Sequence, residues 1–337
     1  MYFDEFDPRV NFDLKPLLES RQGPEGSLNG QYRYDALICT LGYETRARYV
    51  AERLQRETEN IWAFSYPAVA SFDYSLNEER YKAMGTIYHT NAHSYRIFLR
   101  ELVAGRLAAR RDANSEQSQT LRFAIDISSM DRDRLAGTVL ALMVDQVEEI
   151  EIDFYYSCAD FDEKLVGSEG PIHVNRPISG FEGWTSTPDL PLACVLGLGF
   201  EHNLALGALE TLEPTDAYLF VASGVDDRYD HIVMDRNSAL IEGVTENIYQ
   251  YSVRSPMRTA LAVESIVHSL VRSRRVILVP IGTKIFALAC FLVGVAYGDE
   301  LAVWRLSADS ARTPENRVCT TDPVGVSVLL RKKKSLT

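Results

Sequence analysis

The chain has 337 residues, 46 % of them apolar and 24 % charged, the proportions of a globular protein long enough for two ordinary domains. That composition excludes a disordered chain, a collagen and a coiled coil. With 35 Lys plus Arg against 47 Asp plus Glu, the net charge is −12. So acidic a chain repels phosphate backbones, which argues against direct binding of duplex nucleic acid.

Residues 1–35 read as an acidic, irregular N-terminal extension, and residues 1–10 lack the apolar core of a signal peptide. An apolar strand at 36–41 then runs into Gly42, an aromatic residue and Glu44, and a helical stretch continues to Leu54. A short strand at 61–66, a segment at 79–84, the pair Ile87-Tyr88 and a helix at 94–107 follow. A strand beginning at Phe123 leads through Ser128, Ser129, Asp131 and Arg132 into an apolar helix at 135–144. The strand 150–156 closes the unit, and Asp153, between Ile152 and Phe154, reads as facing the surface.

Residues 161–192 hold four Gly and four Pro and read as a linker or excursion. The same pattern then returns. Residues 193–201 repeat the strand, the glycine (Gly199), the aromatic and the glutamate (Glu201). Residues 217–222 match 61–66, 235–240 match 79–84, Ile248-Tyr249 match Ile87-Tyr88, and the helix 258–271 matches 94–107. The strand from Val276 with Gly282, Thr283 and Lys284, followed by the apolar helix 285–296, matches the segment from Phe123 to 144. The strand 301–306 closes this unit, and each unit ends in a Ser-x-Asp neighbourhood, 157–160 and 307–309.

So many correspondences in one order point to an internal duplication. The strands are apolar on both faces, as buried parallel strands must be, and right-handed crossovers put helices on both sides. The expected fold is α/β: two tandem Rossmann-like units with mostly parallel sheets, 36–160 and 193–309. Residues 310–337 form a C-terminal extension with a last strand at 325–330. The two apolar helices carry almost no polar face, so each must be covered on all sides, by the other unit.

Five cysteines (Cys39, Cys158, Cys194, Cys290 and Cys319) are odd in number and form no C-x-x-C pair, so they read as buried free thiols of a reducing compartment. The longest apolar run, 285–297, is shorter than the roughly 20 residues that cross a bilayer. A cytoplasmic protein without membrane contact is expected.

In an open parallel sheet, ligands bind outside the carboxyl ends of the strands, where helix N-termini offer free N–H groups to an anion. Four strand-to-helix loops fit. They carry Gly42, Glu44 and Arg46; Ser128, Ser129 and Arg132; Gly199, Glu201 and His202; and Gly282, Thr283 and Lys284. Gly282 lets backbone N–H groups approach a ligand, Thr283 supplies a hydroxyl and Lys284 a compact charge; the bland alternative is a threonine cap and a solvated lysine. Glu44 and Glu201 stand at equivalent places and either work as an acid–base pair or cap their own helices. His202 projects toward a cleft or is structural. Gly197 and Gly199 have no third glycine at the G-x-G-x-x-G spacing and there is no Walker A motif, so no cofactor is called for. The acidic stretch 226–230 reads as a solvated loop. His89 and His93 straddle a helix start at Asn91 and so do not form a metal pair, and the basic stretch 331–334 reads as a solvated end.

A strand ending in Gly282-Thr283-Lys284 before an apolar helix, paired with a strand-one loop, resembles the CARF (CRISPR-associated Rossmann) domains. Those domains sense cyclic oligonucleotides in bacterial antiviral defence and hold the ligand across a dimer axis. The first unit departs from that pattern, with Ser128-Ser129-Met130 at the matching place. The resemblance implies a fused pseudo-dimer that senses a nucleotide or other small anion and, having no effector of its own, passes the signal to a protein partner. Two other readings stay open: an enzyme that hydrolyses a nucleotide, cyclic or linear, and a scaffold subunit of a defence complex with degenerate pockets.

Overall fold

The computed structural model describes residues 10–16, 34–66, 71–112, 120–143, 149–162, 172–183, 187–201, 204–224, 226–244, 246–307 and 314–332. Two α/β sheets are built along the chain. The first contains β2 (Ala36–Leu41), β3 (Ile61–Ser65), β4 (Thr86–His89), β5 (Leu121–Asp126) and β6 (Glu149–Tyr156). The second contains β8 (Leu192–Gly197), β9 (Asp216–Ser223), β10 (Ile248–Ser252), β11 (Arg275–Val279) and β12 (Leu301–Ser307). Their orders are β4-β3-β2-β5-β6 and β10-β9-β8-β11-β12, all parallel, so both follow one winding scheme.

The ladders also agree residue by residue. Ala36 pairs with Phe123 and Ala193 with Val276. Leu37 pairs with Ile61 and Cys194 with Ala217, then Ala63 with Ile87 and Leu219 with Ile248. These are the correspondences expected from the sequence. The closing strands are the exception: Phe123 pairs with Ile152 and Val276 with Leu301. Ser157 is therefore level with Leu306, one residue out of the Ser-x-Asp match, and Asp309 lies outside the described residues.

Each sheet gains an antiparallel sixth strand, and the two are exchanged. β7 (Val174–Pro177) follows the first unit in the chain but pairs with β12 of the second. β13 (Val324–Lys332) follows the second unit but pairs with β6 of the first, and β1 (Val10–Pro16) pairs antiparallel with β13 at that edge. The segment 161–192 and both terminal extensions thus contribute strands. Arg331 and Lys332, read as part of a solvated basic end, belong to β13, and Lys333 and Lys334 lie outside the described residues.

The helices carry the core. α1 (Tyr49–Leu54), α2 (Tyr74–Met84), α3 (Ala92–Asp112) and α4 (Arg132–Ala141) belong to the first unit, and α5 (Leu204–Leu212), α6 (Asp227–Arg236), α7 (Ser238–Gly243), α8 (Pro256–Leu270) and α9 (Lys284–Tyr297) to the second. Asn91 starts α3 by accepting the Ser94 N–H at 2.8 Å. α4 and α9 pack on each other across the two halves, flanked by α3 and α8. From Ile285 to Tyr297 every residue but Val295 is buried. Burying Phe286 or Leu288 there is worth about 1.5–3 kcal/mol each. Polar caps start both helices: Asp131 accepts the Arg134 N–H at 2.7 Å and Thr283 the Phe286 N–H at 3.3 Å.

Two expectations are corrected, one of burial and one of secondary structure. Asp153 is 1 % exposed, because helices and the other half cover both faces of the sheet; its carboxylate accepts the hydroxyls of Tyr34 (2.6 Å) and Ser327. The acidic stretch 226–230 is the start of α6, with the Asp226 carboxylate accepting the Arg228 N–H as an N-cap. All five cysteines are free and buried, and among the described residues no helix is long and apolar enough to cross a membrane.

Candidate functional site

The parallel strands of both sheets deliver their carboxyl ends to the seam between α4 and α9. The seam is closed by two crossings with the same form. Arg132, the first residue of α4, donates from Nε to the Pro280 carbonyl and from Nη2 to the Gly282 carbonyl, both at 2.7 Å. Lys284, the first residue of α9, donates to the Ser128 carbonyl at 3.3 Å and to the Met130 carbonyl. In each case the acceptors stand one and three residues before the cap of the opposite helix. Residue i meets region j and its counterpart returns the contact, which is the signature of a two-fold interface. Burial pulls the Lys284 ammonium down to about 8, against the pull of the Glu44 carboxylate.

In the first unit Gly42, Glu44, Arg46, Ser128 and Ser129 form one cluster. Arg46 is 7 % exposed; its Nε meets Glu44 Oε2 at 2.8 Å and its Nη1 donates to the Ser157 carbonyl at 2.7 Å. Burial opposes the guanidinium charge, but Glu44 and Tyr156 outweigh it and hold the group above its ordinary value. Glu44 makes no side-chain cap to its own helical turn, 45–48; its carboxylate takes Arg46 and, at 3.4 Å, the Ser129 hydroxyl. Asp126, at the end of β5, accepts the Ser128 N–H (2.9 Å) and hydroxyl (2.5 Å). Burial raises its carboxyl to about 6, with those two bonds opposing.

In the second unit Gly199 lies against Gly282, so that a Cβ on Gly199 would stand 3.1 Å from the Gly282 Cα and 2.6 Å from a Glu201 oxygen. Gly282 has φ +80°, a conformation costly for residues with a Cβ. Thr283 caps α9 and its hydroxyl meets the Tyr251 hydroxyl at 2.9 Å. His202 lies outside the described residues.

These loops open on one cleft of about 260 Å³ between the halves. Glu44, Arg46, Tyr156 and Cys158 line it from the first unit; Gly199, Phe200, Glu201, Gly282, Thr283 and Lys284 line it from the second. Ser128, Ser129 and Arg132 stand behind this lining and hold it in place through the contacts above, and Gly42 lies against Ser129, whose Cβ would stand 3.3 Å from a Cβ on that glycine. Several lining side chains, Tyr156 and Cys158 among them, lie outside the sequence expectation. Tyr229 and Asp230 come from α6, and Arg317 comes from the segment that carries the chain to β13. That segment is tied down by its own backbone: the Arg46 N–H donates to the Arg317 carbonyl at 3.1 Å and Asp160 N–H to the Val318 carbonyl at 2.8 Å.

Two asparagines were also missed. Asn77 donates to the Gly42 and Glu44 carbonyls, both at 2.9 Å, and Asn237 to the Gly199 carbonyl at 3.0 Å. They hold the strand-one turns of the two units in the same way. Their equivalence shifts the expected pairing of 79–84 with 235–240 by about one helical turn. Among the described residues, no group of three or more His, Cys, Asp or Glu side chains is arranged to hold a metal ion.

No protein-family model and no curated protein matches the chain. Among solved structures, selenomethionine Haemonchus contortus phosphoethanolamine N-methyltransferase 1, in complex with phosphoethanolamine and S-adenosylhomocysteine, aligns over 74 % of this chain and 69 % of that chain. The identity is 9 % and the TM-score 0.22, a similarity that carries nothing about function.

Proposed function

We propose that this chain is a CARF-like regulatory module that holds a nucleotide-like anion between its two halves, in the setting of bacterial antiviral defence, and relays occupancy to a protein partner. The observation that supports this most is the shared cleft, into which the loops after the first strands of both units and the Gly282-Thr283-Lys284 loop open together. Its cationic groups, Arg46, Lys284 and Arg317, come from three separate parts of the chain, which suits an anion gripped from several sides. A ligand there touches both halves and bears on the Arg132 and Lys284 crossings. Occupancy would in this way alter how the halves sit, which a partner can read.

The test is thermal shift and calorimetry on the purified chain against mononucleotides and linear and cyclic oligonucleotides. At least one is expected to bind with better than millimolar affinity, weakened about 10- to 100-fold in Arg46→Ala. Binding of none would leave the scaffold reading. Consumption of the bound nucleotide, lost in Glu201→Gln with binding kept, would establish the hydrolase reading.

A further inference from the structure

The two halves share a winding scheme, a ladder register, caps and reciprocal crossings, but they are not equivalent where a ligand would sit. Leu41 pairs with Ser65, so the ladder places Tyr66 level with Gly42. Gly197 pairs with Phe220, so it places Ala222 level with Gly199. Ala222 lines the cleft. Tyr66, its counterpart, reaches across the mouth of its own unit: its hydroxyl accepts the Asp131 N–H at 2.7 Å, at the start of α4. The Arg134 guanidinium lies over the Tyr66 ring at 3.8 Å and donates to the Phe64 and Ser65 carbonyls at 3.0 and 3.1 Å. Arg134 stands three residues after its cap, where the second unit has Phe286. The second unit supplies its tyrosine from the neighbouring strand instead. Tyr251 of β10 meets Thr283 at the start of α9 and packs on Phe286, leaving the place beside Ala222 open.

We infer that the described residues build one ligand half-site and not two: the first unit's site is filled by its own Tyr66 and Arg134, and the second unit's cleft takes a single mononucleotide-sized ligand off the pseudo-two-fold axis. This rests on the nucleotide reading above and narrows it. A cleft of about 260 Å³ lies at the small end of small-molecule sites, a scale that suits one nucleotide better than a ring of several. The lining is as asymmetric as the volume. Phe200 and Tyr229, with ring centroids 5.0 Å apart, offer an aromatic wall, and the Asp230 carboxylate, one oxygen of which accepts the Gly224 N–H, offers an acceptor for a ring N–H group. Arg46 and Arg317, ion-paired with Glu44 at 2.8 Å and Glu315 at 3.0 Å, offer their remaining guanidinium N–H groups to a phosphate.

The experiment exchanges the plug. Isothermal titration with AMP, GMP, CMP and UMP, and with a cyclic tetranucleotide, is run on the wild type, Ala222→Tyr, Tyr66→Ala and Arg317→Ala. One mononucleotide is expected to bind at one per chain. Ala222→Tyr, which copies a side chain the first unit already accommodates, should weaken it at least 100-fold, and Arg317→Ala about tenfold. Tyr66→Ala should leave the affinity of that site within about threefold. Should Ala222→Tyr fail to fold, the stoichiometry and Arg317→Ala decide. Two mononucleotides per wild-type chain, tight binding of the cyclic tetranucleotide alone, or undiminished binding in the folded Ala222→Tyr or in Arg317→Ala would overturn the single half-site and leave the nucleotide reading standing. Binding of nothing in the panel would overturn both.

Discussion

Replacing Arg132 with alanine cuts one of the two crossings that join the halves. The guanidinium donates two bonds of 2.7 Å, to the Pro280 and Gly282 carbonyls. A hydrogen bond from a charged donor is worth about 1.5–3 kcal/mol. Both bonds are only part-buried, so water takes over some of the lost interaction, and a loss of about 2–4 kcal/mol is expected. With a urea slope near ~3 kcal/mol/M, that moves the unfolding midpoint down by about 1 M. Trp62 in the first unit and Trp304 in the second report the transition by fluorescence, alongside circular dichroism. The pseudo-two-fold adds a sharper comparison. The double exchange Arg132→Lys with Lys284→Arg keeps one cation at each helix start and two carbonyls before it. It should fall within about 1 kcal/mol of the wild type, well above Arg132→Ala. A midpoint for Arg132→Ala within the equivalent of about 0.5 kcal/mol of the wild type would refute the claim that these contacts hold the halves together.

Three other perturbations have outcomes set by named residues. The Lys284 ammonium is held at about 8 against an ordinary 10.5, so the unfolded chain binds more protons between those values and this group makes stability rise with pH across that window. Discounted for its partial exposure, the rise is about 1–2 kcal/mol; it is absent in Lys284→Met and read from paired urea titrations between pH 7 and 9.5. Gly282→Ala puts a Cβ 2.4 Å from the Leu198 carbonyl at φ +80°, and should cost more than about 2 kcal/mol. Gly105→Ala, exposed in α3 with nothing within 4 Å of the new Cβ, should instead gain about 0.5–1 kcal/mol, and thermal melts separate the two.

Much of the architecture was legible because it is written in local runs. Ala36–Leu41 and Leu192–Gly197 are apolar on both faces, as strands of a covered sheet must be. Asp131 and Thr283 mark helix starts by their chemistry alone. Val10, Phe12 and Leu14 alternate with Asn11 and Asp13, a period-two signal for β1 that lies inside a stretch otherwise read as irregular. The exchange of β7 and β13 was not legible, since a strand's sequence does not state which distant edge it joins.

The site divided in the same way. Gly42, Gly199, Gly282 and Thr283 follow from where strands turn into helices. Arg132 and Lys284 were visible as loop cations, but their partners are backbone carbonyls across the seam, which no spacing encodes. Glu44 stands where a helix cap is expected and is instead the counter-ion of Arg46. Arg317 enters the cleft only because β13 returns to the first sheet. The Tyr66-for-Ala222 difference stood in the aligned strands 61–66 and 217–222 all along, but its meaning needed the ladder register and the position of the cleft.

Photolabelling tests the proposed nucleotide site between the halves most directly. The chain is irradiated with an azido-purine mononucleotide, with and without excess unlabelled nucleotide, and the labelled peptides are mapped by mass spectrometry. Saturable labelling is expected at residues 198–201, 222–224 and 226–230, together with the peptide containing Arg317. Labelling that excess nucleotide does not compete, or saturable labelling confined to peptides outside the cleft, would contradict it.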